Sequence, residues 1–189
     1  TMKNFCLVFL VSILSFAVCG KEGIKEINLY LNSINEFYSS FLQVENDDIR
    51  EGKFYLKNNR IRIEYSSPNN IVFVLKKNKV MFFNKDLQEV QYFNPKDTLG
   101  QFFLDLFNKE KFLSKINITH KTGYFYITKE IHLDGISHKI NIYFEKNPIQ
   151  LRKIEVKGEL SEMSFTLLNP NFNANLEDQI FSLANPILN

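Results

Sequence analysis

The chain has 189 residues, of which 44% are hydrophobic, so it is long enough for one domain with a sizeable core and too short for two. Its 23 basic and 21 acidic residues are spread along the sequence and leave a formal net charge of +2, which argues against a nucleic-acid-binding patch and against an acidic disordered tail. It contains 19 Phe, 8 Tyr and no Trp, more ring surface than an ordinary core of this size needs.

The first residues have the pattern of a secretory signal peptide. Lys3 precedes a continuous apolar run from Phe5 to Val18, and small residues follow. The run is too short for a comfortable transmembrane span. We therefore predict a signal peptide over residues 1–19, cleaved near Ala17 to Gly20, and one domain over residues 20–189. An uncleaved anchor is the alternative.

Both cysteines lie in or at the edge of this segment, at Cys6 and Cys19. The mature domain is therefore expected to have no disulfide and to be stabilised by packing. Cys19 also raises the alternative of a lipid anchor, which keeps a modified cysteine at the cleavage point. Val18 stands where the bacterial lipoprotein signal has Gly, Ala or Ser, so ordinary cleavage is favoured.

Between Ile24 and Leu42 the apolar residues recur at steps of three and four, which predicts one amphipathic helix. A polar, turn-rich link ending at Gly52 follows it. The apolar positions of this helix are Ile24, Ile27, Leu31, Ile34, Tyr38 and Phe41.

Beyond Gly52 the hydrophobic period falls to two, which predicts antiparallel strands. The strands on either side of the Asn58-Asn59 turn alternate apolar residues with charges, so one of their faces is expected to be wet. Ile71–Leu75 and Lys79–Phe83 are apolar on both alternate faces and need cover on both sides. Gln88–Phe93 predicts a further strand.

A short helix then interrupts the strands. Thr98 followed three residues later by Gln101 is a capping-box signature for its start. A wide apolar stripe follows, and it consists of Leu99, Phe102, Phe103, Leu106 and Phe107. An ordinary helix packed on the core is the alternative to a specialised role.

After this helix the period of two returns, from Ile116–His120 to the segment ending at Leu168. Asp134-Gly135 predicts a tight hairpin between two of these strands. A last short apolar piece spans Ile180–Pro186. The whole pattern predicts about nine to eleven strands in a strongly curved antiparallel sheet, with one long helix and one inserted helix.

Motifs for catalysis are absent from the sequence: it has no G-x-S-x-G, no P-loop and no G-x-G-x-x-G, and we expect it not to be an enzyme. The candidate metal ligands are His132, Asp134 and His138. A two-residue turn at Asp134-Gly135 places Ile131 opposite His138 and puts the two imidazoles on opposite faces, so no metal site is expected. A bulge in the turn would alter this register.

The order of these elements and several local sequences resemble the LolA family of periplasmic lipoprotein carriers. The family's F-x-Q occurs at Phe41 and Gln43. The chain departs from the family at Lys57-Asn58-Asn59, where many members have K-R-P-G and an Arg associated with handing the cargo onward. The similar segments cover essentially the whole mature chain: Glu36–Gln43, Gly52–Pro68, Lys76–Phe93, Asp97–Phe107 and Asp178–Pro186.

This resemblance implies an α+β, mainly β fold, in which an incomplete, unclosed antiparallel β-barrel of about 9–11 strands has helices lidding its concave apolar face. It implies a periplasmic chaperone of a Gram-negative bacterium that carries the acyl chains of outer-membrane lipoproteins from the inner to the outer membrane. The residues expected to form the lipid-binding cavity and lid are Phe54, Leu56, Ile61, Ile63, Phe73, Phe82, Leu99, Phe102, Phe103, Leu106 and Phe107.

The implied partners are acylated lipoproteins, an inner-membrane lipoprotein-releasing ABC transporter and an outer-membrane lipoprotein acceptor; nucleic acid and cofactors are not expected, and the protein is expected to be a monomer. Leu99–Phe107 is expected to be a movable lid, with Gly100 easing its movement. Lys57, Arg60, Arg62 and Glu64 are expected to face water.

Two other functions fit the same elements. One is a lipid-anchored lipoprotein receptor or a lipid-sensing envelope stress protein on the same fold, which a diacylated Cys19 would indicate. The other is an enzyme acting on lipid or glycan, for which the sequence offers no identifiable nucleophile or carboxylate pair.

Overall fold

The computed structural model describes most of the predicted domain. The predicted signal peptide, Cys6 and Cys19 lie outside the described residues, so the cleavage site and the state of Cys19 stay predictions. Asp134 of the predicted hairpin also lies outside them. The described residues are 23–96, 98–108, 112, 116–133, 135–159 and 161–188.

Within those residues the chain forms one sheet of eleven antiparallel strands, in the order β6-β5-β4-β3-β2-β1-β11-β10-β9-β8-β7. The sheet does not close, because β6 and β7 remain at its two edges. The predicted unclosed antiparallel β-barrel is therefore confirmed. The strands are β1 (Glu36–Glu45), β2 (Asp48–Lys57), β3 (Arg60–Ser67), β4 (Ile71–Lys76), β5 (Lys79–Asn84), β6 (Glu89–Phe93), β7 (Asn117–His120), β8 (Tyr124–Leu133), β9 (Ile136–Glu145), β10 (Gln150–Lys157) and β11 (Glu162–Asn171).

The long first helix predicted over Ile24–Leu42 is wrong in its second half. Helix α1 covers residues 23–33 only, and the chain then enters β1 at Glu36. Phe37 and Phe41 are four residues apart, a spacing that fits a helix face and equally one face of a strand. The strand face is completed by Ser39 and Gln43, two buried polar residues that the hydrophobic pattern does not register.

The polar link predicted before Gly52 is also mostly strand. Only Asn46 and Asp47 separate β1 from β2, and Asn46 has a positive φ of 52°. Asparagine tolerates the left-handed region that such a turn needs. The Asn58-Asn59 turn between β2 and β3 is confirmed, with positive φ angles of 49° and 58°.

Helix α2 (Leu99–Leu106) follows β6 and is confirmed, but its predicted capping box is not formed. Thr98 occupies the N-cap position, yet its hydroxyl donates to the Pro95 carbonyl at 2.6 Å. The Gln101 amide donates to Asp105 Oδ1 at 2.8 Å instead of reaching back to the cap. The helix starts where the motif predicts, although the side chains of Thr98 and Gln101 bond to nearby residues and do not cap it.

The sheet buries apolar residues on both of its faces, as predicted for β4 and β5. On the concave face a large cluster includes Ile27 and Leu31 of α1, the inward residues of the strands, and α2. On the convex face Val72, Val74 and Met81 form a smaller cluster around the fully buried ring of Phe181. The 3₁₀ helix η1 (Asp178–Phe181) carries this ring.

Three of the four charged residues expected to face water on β2 and β3 instead bind the C-terminal clasp, residues 176–183, and the fourth, Glu64, pairs with Arg62. Arg60 Nη2 contacts Asp178 Oδ1 at 2.6 Å, and Arg62 Nη1 donates to the Ile180 carbonyl at 2.7 Å. Lys57 donates to the Leu176 carbonyl. The prediction of a wet face is therefore wrong here, because a distant segment covers it.

Candidate functional site

Helix α2 lies against the concave face through a layer of aromatic rings. The Phe103 ring centroid is 5.8 Å from that of Phe54 and 5.3 Å from that of Phe165. Phe107, at the C-cap of the helix, is 5.9 Å from Phe37 and 6.0 Å from Phe54. These centroid separations lie within the range of favourable ring pairs, so the helix packs mainly on aromatic side chains.

Within the described residues, α2 contacts the sheet through apolar packing alone. Within them, no hydrogen bond or ion pair joins residues 98–108 to the sheet: the polar side chains bond locally, as Gln101 does to Asp105. Burial lowers the pKa of Lys129 on β8, and the Asp105 carboxylate on α2 opposes that shift. The two opposite charges therefore attract each other weakly between α2 and β8. Non-directional contacts of this kind tolerate displacement better than a hydrogen-bonded ladder does.

Between α2 and strands β3–β5 lies an apolar cavity of about 250 Å³. We call it the inner pocket. Gly100 brings the helix close to the sheet, because a Cβ at this position would meet Leu75 Cδ2 at 2.9 Å. The lining residues are Ile63, Tyr65, Phe73, Leu75, Val80, Phe93, Thr98, Leu99, Gly100 and Phe103.

A second cavity of about 350 Å³, the outer pocket, adjoins the inner pocket on the side of the β3–β4 turn. Tyr65 and Phe73 line both cavities. Phe82 lies in the outer pocket with its ring centroid 5.2 Å from that of Phe73. The two pockets therefore adjoin at Tyr65 and Phe73, and together we call them the groove.

Tyr65 is fixed at this narrowing by a buried polar contact. Its hydroxyl donates to Gln43 Oε1 at 2.6 Å, and Gln43 is 5% exposed. Burial raises the pKa of Tyr65 to about 12, while the nearby Arg50 charge lowers it and Glu45 raises it. The phenol therefore remains a neutral hydrogen-bond donor at physiological pH.

The predicted cavity and lid residues all lie on the concave side of the sheet or on α2. Ile63, Phe73, Leu99 and Phe103 line the inner pocket. Phe82 lines the outer pocket. The others are packed into the concave cluster, and they are Phe54, Leu56, Ile61, Phe102, Leu106 and Phe107. Whether any of them contacts a ligand stays a prediction.

The sequence prediction omitted several groove residues. Tyr65 continues the inward alternation of Ile61 and Ile63, so the period of two could have identified it. Val80 alternates with Phe82 in the same way. Phe93 lies at the end of an edge strand next to α2, and no local pattern indicates that position.

The histidines of the β8–β9 hairpin have the predicted register. Ile131 pairs with His138 and His132 with Ser137, so the imidazoles project from opposite faces. No group of three or more His, Cys, Asp or Glu placed to hold a metal ion occurs in the described part of the chain. Among the helices described, none is long and apolar enough to span a membrane.

Comparison with known proteins gives one family and a fold. The model of the family described as outer membrane lipoprotein carrier protein LolA matches residues 32–184. A search of curated proteins found no match.

An uncharacterised conserved protein from Thermus thermophilus has a similar structure, with a TM-score of 0.57 at 8% identity, over 86% of this chain and 93% of that one. The Mycobacterium tuberculosis lipoprotein LppX aligns with a TM-score of 0.45 at 11% identity, over 82% and 97%. At such identities the likeness of the first structure shows the fold alone.

Proposed function

The chain belongs to the family of the outer membrane lipoprotein carrier protein LolA, and from this premise we propose that it is a periplasmic chaperone for the acyl chains of outer-membrane lipoproteins. It takes these chains into the groove beneath α2 and carries them from the inner to the outer membrane of a Gram-negative bacterium. Its role is to shelter the chains from water, with no chemical step.

The physical need for such a carrier is large. Each CH₂ group exposed to water costs about 0.8 kcal/mol, so the chains of a lipoprotein face a barrier of tens of kcal/mol when they leave a bilayer unaided. An apolar groove replaces most of the lost contacts without directional bonds, so it accepts many acyl conformations. Phe and Leu on α2 suit this exchange.

The observation that carries the proposal is the attachment of α2, which rests on apolar contacts above a partly filled apolar groove. The inner pocket of about 250 Å³ lies just below the range of about 300–1,000 Å³ usual for drug-sized ligands, so long acyl chains require α2 to move. A ring that leaves the core loses about 1.5–3 kcal/mol, and an acyl chain that takes its place restores a similar amount. Loading and release then differ little in free energy, as a carrier requires.

The proposal includes the partners at both membranes. The cargo comes from an inner-membrane lipoprotein-releasing ABC transporter and passes to an outer-membrane lipoprotein acceptor, and the carrier acts as a monomer. Since the Arg that many family members have near Lys57-Asn58-Asn59 is absent here, release in this protein depends on other residues.

The test is a reversible lock on α2. A Cβ at Gly100 would meet Leu75 Cδ2 at 2.9 Å, and the described residues contain no cysteine. We therefore expect the pair Leu75→Cys and Gly100→Cys to form a disulfide between α2 and β4 on oxidation. We expect the reduced pair to bind an apolar fluorescent probe and a diacylated lipopeptide to displace it, and the oxidised pair to bind at least about tenfold more weakly. The control is the same double variant before and after reduction.

Equal binding by the oxidised and reduced forms would show that the helix is no lid. Absence of binding in the wild-type protein as well, together with no lipoprotein co-purifying from cells, would overturn the carrier function itself. The receptor or stress-sensing alternative is separated by mass spectrometry of the N-terminus, because that alternative needs an acylated Cys19.

A further inference from the structure

The concave face is apolar over most of its area but polar at one end. The β1–β2 register places Arg50 opposite Gln43, and Gln43 belongs to the buried face of β1. Cross-strand partners share a face, so Arg50 projects to the concave side. It lines the outer pocket together with Tyr65, Phe73 and Phe82. A permanently charged guanidinium thus lies beside the mouth of an apolar groove.

Arg50 differs from the other three arginines in its contacts. Arg60, Arg62 and Arg152 each donate to a carboxylate at 2.6 Å. Arg50 Nη2 lies 3.8 Å from Glu45 Oε2, and its guanidinium makes no hydrogen bond within the described residues. The side chain is 42% exposed, so water can reach it. A guanidinium has five N–H donors in a planar fork, and here all of them are available to a ligand.

The outer pocket combines this donor group with apolar walls. Ile71, Phe73 and Phe82 supply the apolar surface, and Tyr65 and Phe73 separate this pocket from the inner pocket beside it. A molecule that fills both pockets needs an oxygen-bearing head at the Arg50 end and a hydrocarbon chain toward α2. Such a molecule is an amphiphile with an acyl chain.

We propose that the groove also binds single acyl chains with an anionic head, a carboxylate or a phosphate, and that Arg50 is the residue that binds this head. The anion accepts two hydrogen bonds from the guanidinium fork and replaces the long contact with Glu45. The chain runs past Tyr65 and Phe73 into the inner pocket. This proposal rests on the acyl-binding function proposed above and adds a ligand class to it, the fatty acids and the long-chain alkyl phosphates.

The test compares two probes that differ only in head group. cis-Parinaric acid and its methyl ester have the same fluorescent chain, with a carboxylate in one and a neutral ester in the other. At low ionic strength and pH 8 we expect the wild-type protein to bind the acid about tenfold or more tightly than the ester, because hydrogen bonds to charged groups change an affinity by one to two orders of magnitude. This preference should shrink at 1 M salt.

Arg50→Gln should abolish the preference while changing ester affinity by less than about threefold. Arg152→Gln is the matched control, since Arg152 pairs with Glu145 away from the groove, and it should keep the preference. Glu45→Gln should increase the preference, because it removes the carboxylate that competes for Arg50. Dodecyl phosphate should displace the acid from wild-type protein and not from Arg50→Gln, whereas displacement only by a fatty acid would restrict the site to carboxylates.

Three results would overturn the proposal or its premise. If wild-type protein binds acid and ester equally, or if Arg50→Gln retains the preference, Arg50 is not the head-group residue, although acyl binding stands. If neither probe binds wild-type protein, the acyl-binding function fails together with this proposal. Thermal unfolding of each variant shows whether it is folded, so that a loss of affinity can be assigned to the binding site and not to unfolding.

Discussion

The guanidinium of Arg60 lies 5.1 Å from the centroid of the Phe181 ring while its Nη2 contacts Asp178 Oδ1 at 2.6 Å. One side chain of β3 thus covers a buried ring and anchors the carboxylate three residues before it. The ring fills the convex cluster behind strands β4 and β5, whose concave side lines the groove. The clasp therefore supports the wall of the candidate site from the back.

Replacing Phe181 by Ala should destabilise the protein by about 3–5 kcal/mol, because a fully buried ring is removed and a cavity remains between Val72, Val74 and Met81. Urea unfolding followed by circular dichroism measures the loss. Leu188→Ala is the control, since Leu188 is 80% exposed, and it should be close to neutral. A loss below about 1 kcal/mol for Phe181→Ala would mean that the clasp is not part of the cooperative fold.

The clasp should loosen in acid. The hydrogen bond from Arg60 holds the pKa of Asp178 below its usual 3.8, and the charges of Arg60 and Lys57 lower it further. A lowered pKa means that the contribution of this carboxylate is complete above pH 3.8 and is lost as the pH falls through the folded-state pKa.

Hydrogen exchange of residues 176–183, corrected for intrinsic rates, should therefore accelerate below pH 3.8 in the wild-type protein. Asp178→Asn should exchange faster already at neutral pH and show less acid dependence. An identical acid response in the two proteins would contradict the assignment of the effect to Asp178.

Gly52 is required by the close approach of β2 and β3. A Cβ at this position would lie 1.9 Å from the Glu64 carbonyl oxygen, a backbone atom in the paired strand, and 2.9 Å from the Phe41 ring. The register of the two strands also shifts between Glu51 and Gly52. Gly52→Ala should therefore cost about 1–3 kcal/mol or more, measured by urea unfolding.

The control for Gly52 is Gly158→Ala. A Cβ at Gly158 would lie 2.9 Å from the His138 ring, a side chain that can rotate away, and 3.6 Å from the Ser161 carbonyl oxygen, an ordinary contact distance. We expect a loss below about 1 kcal/mol there. Equal losses at both glycines would contradict the steric explanation.

Stability should also fall in strong alkali, in part through Tyr65. Burial raises the pKa of Tyr65 to about 12 from its ordinary value of 10.0. The folded protein thus holds this proton more tightly than the unfolded chain. The contribution of Tyr65 to the free energy of unfolding is therefore fully present below pH 10 and decreases as the pH rises toward 12. The decrease from this one residue is at most about 2–3 kcal/mol at pH 12.

In urea unfolding, Tyr65→Phe should lose less stability than the wild-type protein between pH 10 and pH 12. At pH 7 it should be less stable than the wild-type protein, because the Gln43 amide oxygen loses its hydrogen-bond donor. Tyr124→Phe is a suitable control, since Tyr124 is 40% exposed and its hydroxyl makes no hydrogen bond within the described residues. A pH profile for Tyr65→Phe identical to that of the wild type would contradict the prediction.

Much of the fold could be predicted because strand faces are a local property. The inward alternation of Phe54, Leu56, Ile61 and Ile63 is present in the sequence and recurs unchanged in the sheet. The β8–β9 register followed from the two-residue turn in the same way. Helix α2 was predictable because eight residues contain one continuous apolar stripe.

The failures arose where long-range contacts decide the structure. Ser39 and Gln43 are buried on β1 with partners far away in the sequence, the Leu168 carbonyl and the Tyr65 hydroxyl, and a window of a few residues contains no sign of those partners. The clasp was missed for a similar reason, since Asp178 meets Arg60 across more than a hundred residues. Arg50 was assigned to a polar link, although its position in β2 places it beside the groove.

The pairing of β1 with β11 has a consequence for how the protein is made. Every other pair of neighbouring strands is a hairpin or short connection, whereas this pair joins residues 38–45 to residues 163–171. The sheet thus consists of two meanders, β1–β6 and β7–β11, which meet at the β1–β11 pairing, or seam. Pairing strands so far apart in the sequence is slow. The seam cannot form until the ribosome has added the last strand, so the complete eleven-stranded sheet forms only after the synthesis of β11.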